Sequence, residues 1–371
     1  MSSWRRTAIA TAALAVLAGL PLSIGTASAQ AGKAHSGTAG TTSCDGGDQR
    51  GAARAGWRDL HAHVVGTLED GYAASSLNRH GDVPFRTEKG EAMVWNANTG
   101  ERRALEGAQG AVPFDITDDG RVVGAQGNTL VLWDTDGKVS RPDALAGEMS
   151  IHPAQMAEDG TVVLQGQHWI IPVGAGLNHP RLVTTSYRWQ PGTGFERLTQ
   201  PNDGWSAVGI SHDGLIVGGT GSAAVAWRPQ GNPEIYANFP GHSRSWASAV
   251  NDEEVVVGAG QCRSGRNIPM RWDDPADPQE LPDLGFGGIA THINNRGWIA
   301  GYASTTVRGD QVPVVWDPHG GLHRLDELLT PERPAKGDTL SSIDAVNDRN
   351  QLLVWVQRAD RTMFKEVVQL R

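Results

Sequence analysis

Residues 205–239 read WSAVGISHDGLIVGGTGSAAVAWRPQGNPEIYANF, a stretch that predicts four short strands in succession. The apolar segments SAVGI, LIVGGT, AVAWRP and EIYANF are separated by the turn Ser211–Gly214 and by connections that contain Gly, Ser, Asn or Pro. Gly214 can take a positive φ at the end of that turn without strain, as a tight hairpin requires. A four-stranded meander of this length cannot bury both of its faces alone, so the stretch predicts further copies of the unit.

The same unit recurs along the chain at a period of roughly 40 residues. In each copy a large aliphatic residue or Met precedes a four-residue turn, which we call the turn tetrad, and a short apolar strand follows it. The tetrads lie at residues 78–81, 117–120, 157–160, 211–214, 251–254, 294–297 and 347–350. A third strand ends in Trp95, Trp133, Trp189, Trp227, Trp272 and Trp316, with Phe364 as the predicted counterpart in the last copy. This regular recurrence predicts that these aromatic residues pack between units.

Seven such units, with no sustained helical periodicity, predict an all-β fold. We expect a seven-bladed β-propeller of four-stranded blades over residues 57–371, with an open solenoid as the alternative architecture. The last unit supplies only three strands before Arg371, whereas residues 57–65 have alternating strand character. Pairing of this N-terminal strand with the last blade would supply the missing strand and close the ring.

Two units depart from the pattern. Glu254 stands where the other tetrads have Gly or Asn, so we expect a bulged or differently turned hairpin there. The third unit carries about 15 extra residues between Val163 and Trp189, and insertions of that size are either added functional loops or hairpin extensions. The sequence leaves both interpretations of the insertion open.

The N-terminus predicts an export signal that precedes the array. Arg5 and Arg6 precede an apolar run over residues 8–22, and residues 27–29 (Ala-Ser-Ala) form a small-x-small cleavage site. The run is too short for a spanning helix, so residues 1–29 are predicted to be a signal peptide of Sec or twin-arginine type. The mature protein is then secreted, and residues 30–56, rich in Gly, Ala, Ser and Thr, are predicted to form a flexible tail.

The chain contains two cysteines, Cys44 in the predicted tail and Cys262 in a connection of the fifth unit. An oxidising compartment favours a disulfide between them, which would pin the tail to one blade. Two free thiols in mobile loops are the alternative that the sequence leaves open.

The charge of the chain restricts its partners. The formal net charge is −9, and loss of residues 1–29 would remove two arginines and no acid, giving −11. An acidic, exported chain is a poor candidate for binding nucleic acid or anionic membrane surfaces. We therefore expect no nucleic-acid partner. No segment after residue 29 is apolar enough to cross a membrane, so we also expect no membrane span. We further expect a monomeric protein.

The repeats resemble the extracellular repeats of the HAF family. The best matches are ASAVNDEEVVVGAG followed by MRW, and ATHINNRGWIAGYA followed by VVW. The His-Ala-Phe triplet that names the family is replaced at residues 91–93, 224–226 and 312–314, which makes this chain a divergent member of the pattern. The resemblance covers nearly all of residues 57–371 and implies an exported, propeller-like repeat protein, but it implies no catalytic residues.

Two local motifs have a chemical interpretation that we weigh against a structural one. Asp59, His61 and His63 have the Asp-x-His-x-His form of a metal-ligating strand, but the fold that uses it is an α/β barrel, so we predict two histidines on an outer strand. Ser211, His212 and Asp213 are neighbours in a turn, whereas a catalytic triad needs side chains from separate elements. We predict no metal site and no cofactor.

The candidate ligand-binding residues lie on the first strand of each unit, which faces the channel of a propeller. Polar residues occur two positions before some tetrads, and aromatic residues occur near the start of the same strands. The candidates are Asp115, Gln155 and His292 with Tyr72, Trp205 and Trp246. Together they would suit a carbohydrate or small polar ligand; alternatively they pack between blades and contact channel water.

Three functions follow as hypotheses. The first is an exported binding or interaction module for carbohydrate, a small polar ligand or a protein at the channel mouth, which leads because the sequence carries no catalytic signature. The second is a polysaccharide hydrolase or lyase that uses channel acids such as Asp115 or Asp344, and glycoside chemistry would need two carboxylates within about 10 Å. The third is a structural domain without a ligand.

Overall fold

A computed structural model describes residue 44 and residues 60–73, 75–107, 109–142, 144–171, 180–199, 205–307, 309–329 and 337–371. These residues form seven four-stranded antiparallel sheets arranged as a ring, so the predicted seven-bladed β-propeller is confirmed. The predicted signal peptide and, apart from Cys44, the predicted tail lie outside the described residues. None of the helices within the described part of the chain has the length and apolar character needed to cross a bilayer.

The strands follow one another in chain order. The first is β1 (Ala62–Leu68), and blade 1 contains β2 (Tyr72–Ala73), β3 (Asp82–Arg86), β4 (Ala92–Asn96) and β5 (Arg102–Ala104). Blade 2 contains β6 (Val112–Ile116), β7 (Val122–Gln126), β8 (Thr129–Trp133) and β9 (Val139–Ser140). Blade 3 contains β10 (Ser150–Met156), β11 (Val162–Ile170), β12 (Arg181–Gln190) and β13 (Gly194–Arg197). Blade 4 contains β14 (Ser206–Ile210), β15 (Ile216–Gly219), β16 (Ala224–Trp227) and β17 (Glu234–Ile235).

The second half of the ring continues in the same way. Blade 5 contains β18 (His242–Val250), β19 (Val256–Cys262), β20 (Asn267–Trp272) and β21 (Pro278–Glu280). Blade 6 contains β22 (Gly288–Ile293), β23 (Ile299–Ser304), β24 (Gln311–Trp316) and β25 (Leu322–Arg324), followed by the short helix α1 (Leu325–Leu328). Blade 7 contains β26 (Thr339–Val346), β27 (Gln351–Gln357) and β28 (Met363–Leu370), with β1 as its outer strand.

The ring closes through the pairing of β1 with β28. The two strands are antiparallel, with Ala62 opposite Leu370 and Leu68 opposite Lys365. The predicted closure by the N-terminal strand is therefore confirmed, and both ends of the described array belong to one sheet.

The hydrophobic core is divided among the seven seams between neighbouring blades. Each seam holds one cluster of buried apolar residues, so no single core has to grow with chain length. Each of the six strand-ending tryptophans belongs to a different cluster, and all are buried. Their predicted role between blades is confirmed.

The predicted aromatic counterpart in blade 7 is wrong. In the other blades the strand-ending Trp lies opposite the second residue after the tetrad, as Trp272 does opposite Val256. The equivalent pair in blade 7 is Leu352 with Val368, so Val368 takes the place of the tryptophan. Phe364 lies four residues earlier on the same strand. Because side chains alternate with a period of two, Phe364 and Val368 lie on the same face, and alternation alone could not distinguish them.

The first residue of the tetrad connects neighbouring blades. Side-chain Nδ2 atoms donate to the backbone carbonyl of the corresponding residue one blade further on. The four such bonds run from Asn78 to Thr117 (3.0 Å), Asn251 to Asn294 (3.2 Å), Asn294 to Asn347 (2.8 Å) and Asn347 to Asn78 (2.8 Å). The last bond crosses the closing seam, so the tetrads are inter-blade contacts as well as turns.

We expect Asn347→Asp to destabilise the fold by about 2–3 kcal/mol, because a buried donor is lost and a carboxylate oxygen then faces the Asn78 carbonyl. Urea unfolding followed by tryptophan fluorescence measures the change. Arg349→Ala, two residues along on an exposed turn position, is the control and should change stability by less than about 0.5 kcal/mol. Equal effects of the two substitutions would contradict a stabilising role for the Asn347–Asn78 hydrogen bond.

The expected irregular turn at Glu254 is wrong. Glu254 adopts the left-handed conformation itself, with φ of 59°, and its N–H donates to the Asn251 carbonyl as in the other tetrads. Its carboxylate accepts two hydrogen bonds from the Arg228 guanidinium, at 2.7 and 2.9 Å. This bidentate pair offsets part of the cost of a positive φ in a residue with a side chain.

The insertion in the third unit extends a hairpin. β11 and β12 continue beyond the length of the corresponding strands elsewhere, with Trp169 opposite Leu182 near the tip. Trp169, Leu182 and Ile171 are exposed there. The connection at residues 172–179 lies outside the described residues.

Candidate functional site

One end of the central channel holds a polar cavity of about 300 Å³. Its walls are the last residues of the first strand of each blade together with residues of the seven tetrads, and we call this end the tetrad mouth. Three of the predicted ligand-binding residues, Asp115, Gln155 and His292, are brought together on this cavity. The other three, Tyr72, Trp205 and Trp246, are not among the residues that line it.

A recurrent β-bulge shapes the cavity wall. In six blades the register of the first strand shifts two to three residues before the tetrad, as between Pro113 and Asp115 or between Ala290 and His292. The extra residue re-aims the side chains that follow it. The repeat pattern alone does not reveal this bulge, because one inserted residue in a strand leaves the tetrad spacing unchanged.

Asp115 is buried where blades 1, 2 and 3 meet. Its carboxylate accepts hydrogen bonds from the Ser76 hydroxyl and from the Met156 N–H, the latter at 2.6 Å. Burial raises the pKa of Asp115 to about 6, although these hydrogen bonds act in the opposite direction. The side chain therefore joins three blades through one carboxylate.

The second residue of the tetrad forms a further inter-blade series at the mouth. A side-chain oxygen accepts the backbone N–H of the corresponding residue in the preceding blade. The bonds run from Arg79 N to Asp118 (2.7 Å), Asp118 N to Glu158 (2.6 Å), His212 N to Asp252 (2.8 Å), Asp252 N to Asn295 (2.8 Å) and Asn295 N to Asp348 (2.8 Å). Each partner lies one blade away, so these four acids and Asn295 link five pairs of neighbouring blades.

The tetrad mouth has an excess of negative charge. Four of the seven second-position residues that line the cavity are carboxylates, and Arg79 is the one arginine among them. Arg79 lies 3.6 Å from Asp118, an exposed ion pair that neutralises only part of this charge. A mouth of this kind attracts cations and repels anions.

A buried ionic cluster lies in blade 7, and its residues are not among those that line the cavity. Lys365 is 2% exposed, its Nζ lies 2.9 Å from Asp344 Oδ2, and it contacts the face of the Trp355 ring at 4.8 Å. Asp344 also accepts a hydrogen bond from the Ser342 hydroxyl at 2.9 Å. Burial lowers the pKa of Lys365, with Asp344 acting in the opposite direction.

His292 belongs to the electrostatic surroundings of that cluster. Its Nδ1 lies 2.9 Å from the Thr291 hydroxyl. Loss of hydration lowers the pKa of His292 to about 4, with the negative charge of Asp344 acting against the shift and the positive charge of Lys365 adding to it. Sequence reasoning found His292 and Asp344 but missed Lys365, because its strand, MFKEVVQL, also contains Glu366 and Gln369 and so does not single out the lysine as buried.

The remaining predicted ligand-binding residues have different surroundings. Gln155 Oε1 accepts the Ile210 N–H at 3.0 Å, which ties blade 3 to blade 4. Tyr72 is 62% exposed, and Trp205 packs 6.0 Å from Trp227 at a tilted angle. Trp246 is half-buried, with a buried indole nitrogen that has no hydrogen-bond partner among the described residues. A ligand-binding role for these residues stays a prediction.

Within the described ranges, one group of three close metal-ligand atoms occurs, and it lies away from the channel cavity. It consists of Cys44, His242 and Cys262, whose ligand atoms lie within 4.8 Å of one another. The two cysteines are joined in a disulfide, which was one of the two alternatives left open by the sequence. His63 on β1, the outer strand of blade 7, and His61, which directly precedes that strand, are not part of this group.

Comparison with known proteins establishes the fold alone. An oligogalacturonate lyase in complex with manganese is similar over 84% of this chain and 91% of its own, with a TM-score of 0.55 and 14% identity. The β-propeller domain of the Trilobed protease from Pyrococcus furiosus is similar over 81% of this chain and 94% of its own length, with a TM-score of 0.52 and 13% identity. Virginiamycin B lyase from Staphylococcus aureus is similar over 84% of this chain and 99% of its own length, with a TM-score of 0.50 and 11% identity. No family model and no curated protein matches the sequence.

Proposed function

We propose that the protein is an exported binding module that holds a positively charged polar group at the tetrad mouth. The observation that carries this proposal is the set of four carboxylates, Asp118, Glu158, Asp252 and Asp348, on one cavity of about 300 Å³. The resemblance of the repeats to the HAF family and the predicted signal peptide support export, and both remain part of the proposal.

The hydrogen bonds of these acids favour binding over catalysis. Asp118, Glu158, Asp252 and Asp348 each accept a backbone N–H from a neighbouring blade, and Asp115 accepts one from Met156. A general acid or base must exchange a proton with its substrate, whereas a carboxylate fixed by backbone donors is a rigid, permanently oriented charge. Fixed charges around a cavity suit recognition of a cation without loss of side-chain entropy on binding.

Amino sugars and the basic side chains of a partner protein both present an ammonium group, so the test must distinguish these two sources. We expect chitosan oligosaccharides to bind, with their fully N-acetylated counterparts as the neutral comparison and a short lysine peptide as the second arm. Asp118→Asn/Asp252→Asn keeps a side-chain oxygen for each backbone N–H and removes two charges. Isothermal titration calorimetry should show at least tenfold weaker binding for this variant, because two Coulomb contacts of about 1 kcal/mol each are lost.

The matched control removes the same charge elsewhere. Asp273→Asn/Asp277→Asn changes two acids within the connection between β20 and β21, and neither lines the cavity. This variant should bind as the wild type does. Equal binding of the cationic and neutral oligosaccharides, or equal weakening by both double variants, would contradict a cation site at the tetrad mouth.

A second candidate function is a polysaccharide lyase or hydrolase that uses Asp344, His292 and Lys365. The perturbed pKa values of His292 and Lys365 beside one carboxylate favour it, since such groups occur at catalytic sites. Two of the similar folds belong to proteins named as lyases, but at 11–14% identity they support the architecture only. Cleavage of oligogalacturonides by the wild type, abolished in Asp344→Asn, would place this function ahead of binding alone.

A further inference from the structure

The disulfide of this protein lies against a buried histidine. Cys262 is the last residue of β19, and His242, the first residue of β18, is its register partner. A ring nitrogen of His242 and the Sγ atoms of Cys44 and Cys262 all lie within 4.8 Å of one another. The imidazole is thus a close neighbour of both sulfurs.

His242 is held in one orientation. Its side chain is 0% exposed, and its Nε2 lies 2.9 Å from Glu280 Oε1 on β21. A carboxylate accepts hydrogen bonds, so Nε2 carries the hydrogen and Nδ1 carries the lone pair. Gly260 on β19 provides the space for the ring, because a Cβ atom at that position would lie 2.0 Å from Nδ1.

The Nδ1 atom lacks a donor in the disulfide form. It is buried and has no hydrogen-bond partner among the described residues. A disulfide sulfur carries no hydrogen. Since Nε2 is hydrogen-bonded to Glu280, Nδ1 is the ring nitrogen left to accept a hydrogen or a proton from a free Cys thiol. A buried acceptor without a donor is unfavourable, so the surroundings of the sulfurs suit the thiol form better than the disulfide form.

The two cysteine residues differ in exposure. Cys262 is 2% exposed, whereas Cys44 is half-buried. A nucleophile from solvent would therefore reach Cys44 Sγ first, and Cys262 would be the leaving group. The leaving sulfur belongs to Cys262, the residue that lies opposite His242 in the β18–β19 pair.

We propose that Cys44–Cys262 is a reversible modification site, at which a low-molecular-weight thiol forms a mixed disulfide with Cys44 and releases Cys262 beside His242. The incoming thiolate forms an S–S bond to Cys44 Sγ, and the Cys44–Cys262 bond breaks with its electron pair on Cys262. The proton given up by the incoming thiol is balanced by one taken up at Cys262 or His242 Nδ1. Glu280 stabilises the resulting imidazolium, as the third member does in Cys-His arrangements. Attack of Cys262 on the mixed disulfide reverses the step.

The experiment uses the folded, oxidised protein with reduced glutathione in the presence of EDTA, which keeps metal from binding the released thiols. Acid quenching, alkylation and peptide mass spectrometry report which cysteine carries glutathione. We expect the adduct on Cys44 and a free thiol at Cys262. His242→Gln retains an N–H for Glu280 but has no base at Nδ1, and it should slow exchange at least tenfold, since leaving-group stabilisation is lost.

His323→Gln is the matched control, because His323 Nε2 lies 2.8 Å from Asp317 in a comparable pair with no sulfur in the group. This variant should exchange at the wild-type rate. A glutathione adduct on Cys262, an unchanged rate in folded His242→Gln, or no exchange in the wild type would each overturn the proposal.

A second measurement keeps the proposal testable if His242→Gln fails to fold. In the reduced wild type, the alkylation rate of Cys262 by iodoacetamide is followed from pH 5 to 9. We expect thiolate-like reactivity to persist well below the ordinary cysteine pKa of about 8.5, because His242 shares the proton. Glu280, from β21, is the charged side chain that forms an ion pair with His242 within the described part of the chain. A titration at the ordinary cysteine value would overturn the proposal as well.

Discussion

Replacing Lys365 by methionine is expected to destabilise the protein by about 3–5 kcal/mol, since it leaves a charge without its partner in the protein interior. The Lys365 ammonium lies 2.9 Å from Asp344 and against the Trp355 ring, and the side chain is 2% exposed. Methionine fills most of the same volume, so the loss reports the uncompensated Asp344 carboxylate rather than a cavity. Urea unfolding at pH 7 measures it.

The double variant Lys365→Met/Asp344→Asn separates charge from packing. The amide that replaces the Asp344 carboxylate retains an oxygen for the Ser342 hydroxyl but needs no cation, so we expect the double variant to recover most of the stability lost in Lys365→Met. A double variant as unstable as the sum of its two single variants would show that packing, and not the ion pair, accounts for the loss. The same comparison bears on function, because Asp344 is the acid on which the enzymatic alternative depends.

Asp115 and His292 are expected to give opposite pH dependences of stability between about pH 4 and pH 6.5. The pKa of Asp115 is raised by burial from 3.8 to about 6, so in this window the folded state binds more protons at Asp115 than the unfolded state does. Its contribution to stability therefore decreases as the pH rises through the window. Because the site is buried, the shift corresponds to about 3 kcal/mol.

His292 acts in the other direction. Its pKa is lowered, mainly by loss of hydration, from 6.5 to about 4, so the unfolded state binds more protons at His292 between those values. Stability is then lost as the pH falls through the window, again by about 3 kcal/mol. In the wild type these two contributions partly cancel, and neither is visible alone.

Single variants should reveal each contribution as a difference from the wild type. From pH 4 to pH 6.5, Asp115→Asn should become more stable relative to the wild type, while His292→Gln should become less stable relative to it. Unfolding free energies measured across this pH range in one buffer series give both differences, and the double variant should show a nearly constant difference. Differences that change in the same direction would contradict the assignment of these two groups.

The architecture could be predicted because each blade repeats a local pattern. A turn tetrad, two short apolar strands and a strand-ending Trp are each set by neighbouring residues, and seven copies at one period leave few ways to bury their faces. The missing fourth strand of the last unit predicted the pairing of β1 with β28. The prediction of Phe364 was wrong because it relied on residue type, whereas the register places Val368 opposite Leu352.

The candidate site could be predicted only in part. The channel-facing positions of Asp115, Gln155 and His292 followed from strand order, and the cavity brings these three together. Their chemistry did not follow, since the partner of each side chain lies in another blade or on a distant strand. Asp115 bonds to Ser76 and Met156, about 40 positions away on either side, and no local pattern encodes such a distance.

By itself, the sequence determined the blade number, the closure of the ring and the channel-facing strand, since periodicity and alternation act over a few residues. Only the tertiary structure decided that the tetrads link neighbouring blades, that Lys365 is buried against Asp344, and that His242 lies beside the disulfide. Each of these depends on the register of strands and the seams between blades. Hydrogen bonds and close ion pairs form only when the two side-chain atoms lie within about 3 Å of each other, and strand order alone does not specify such distances.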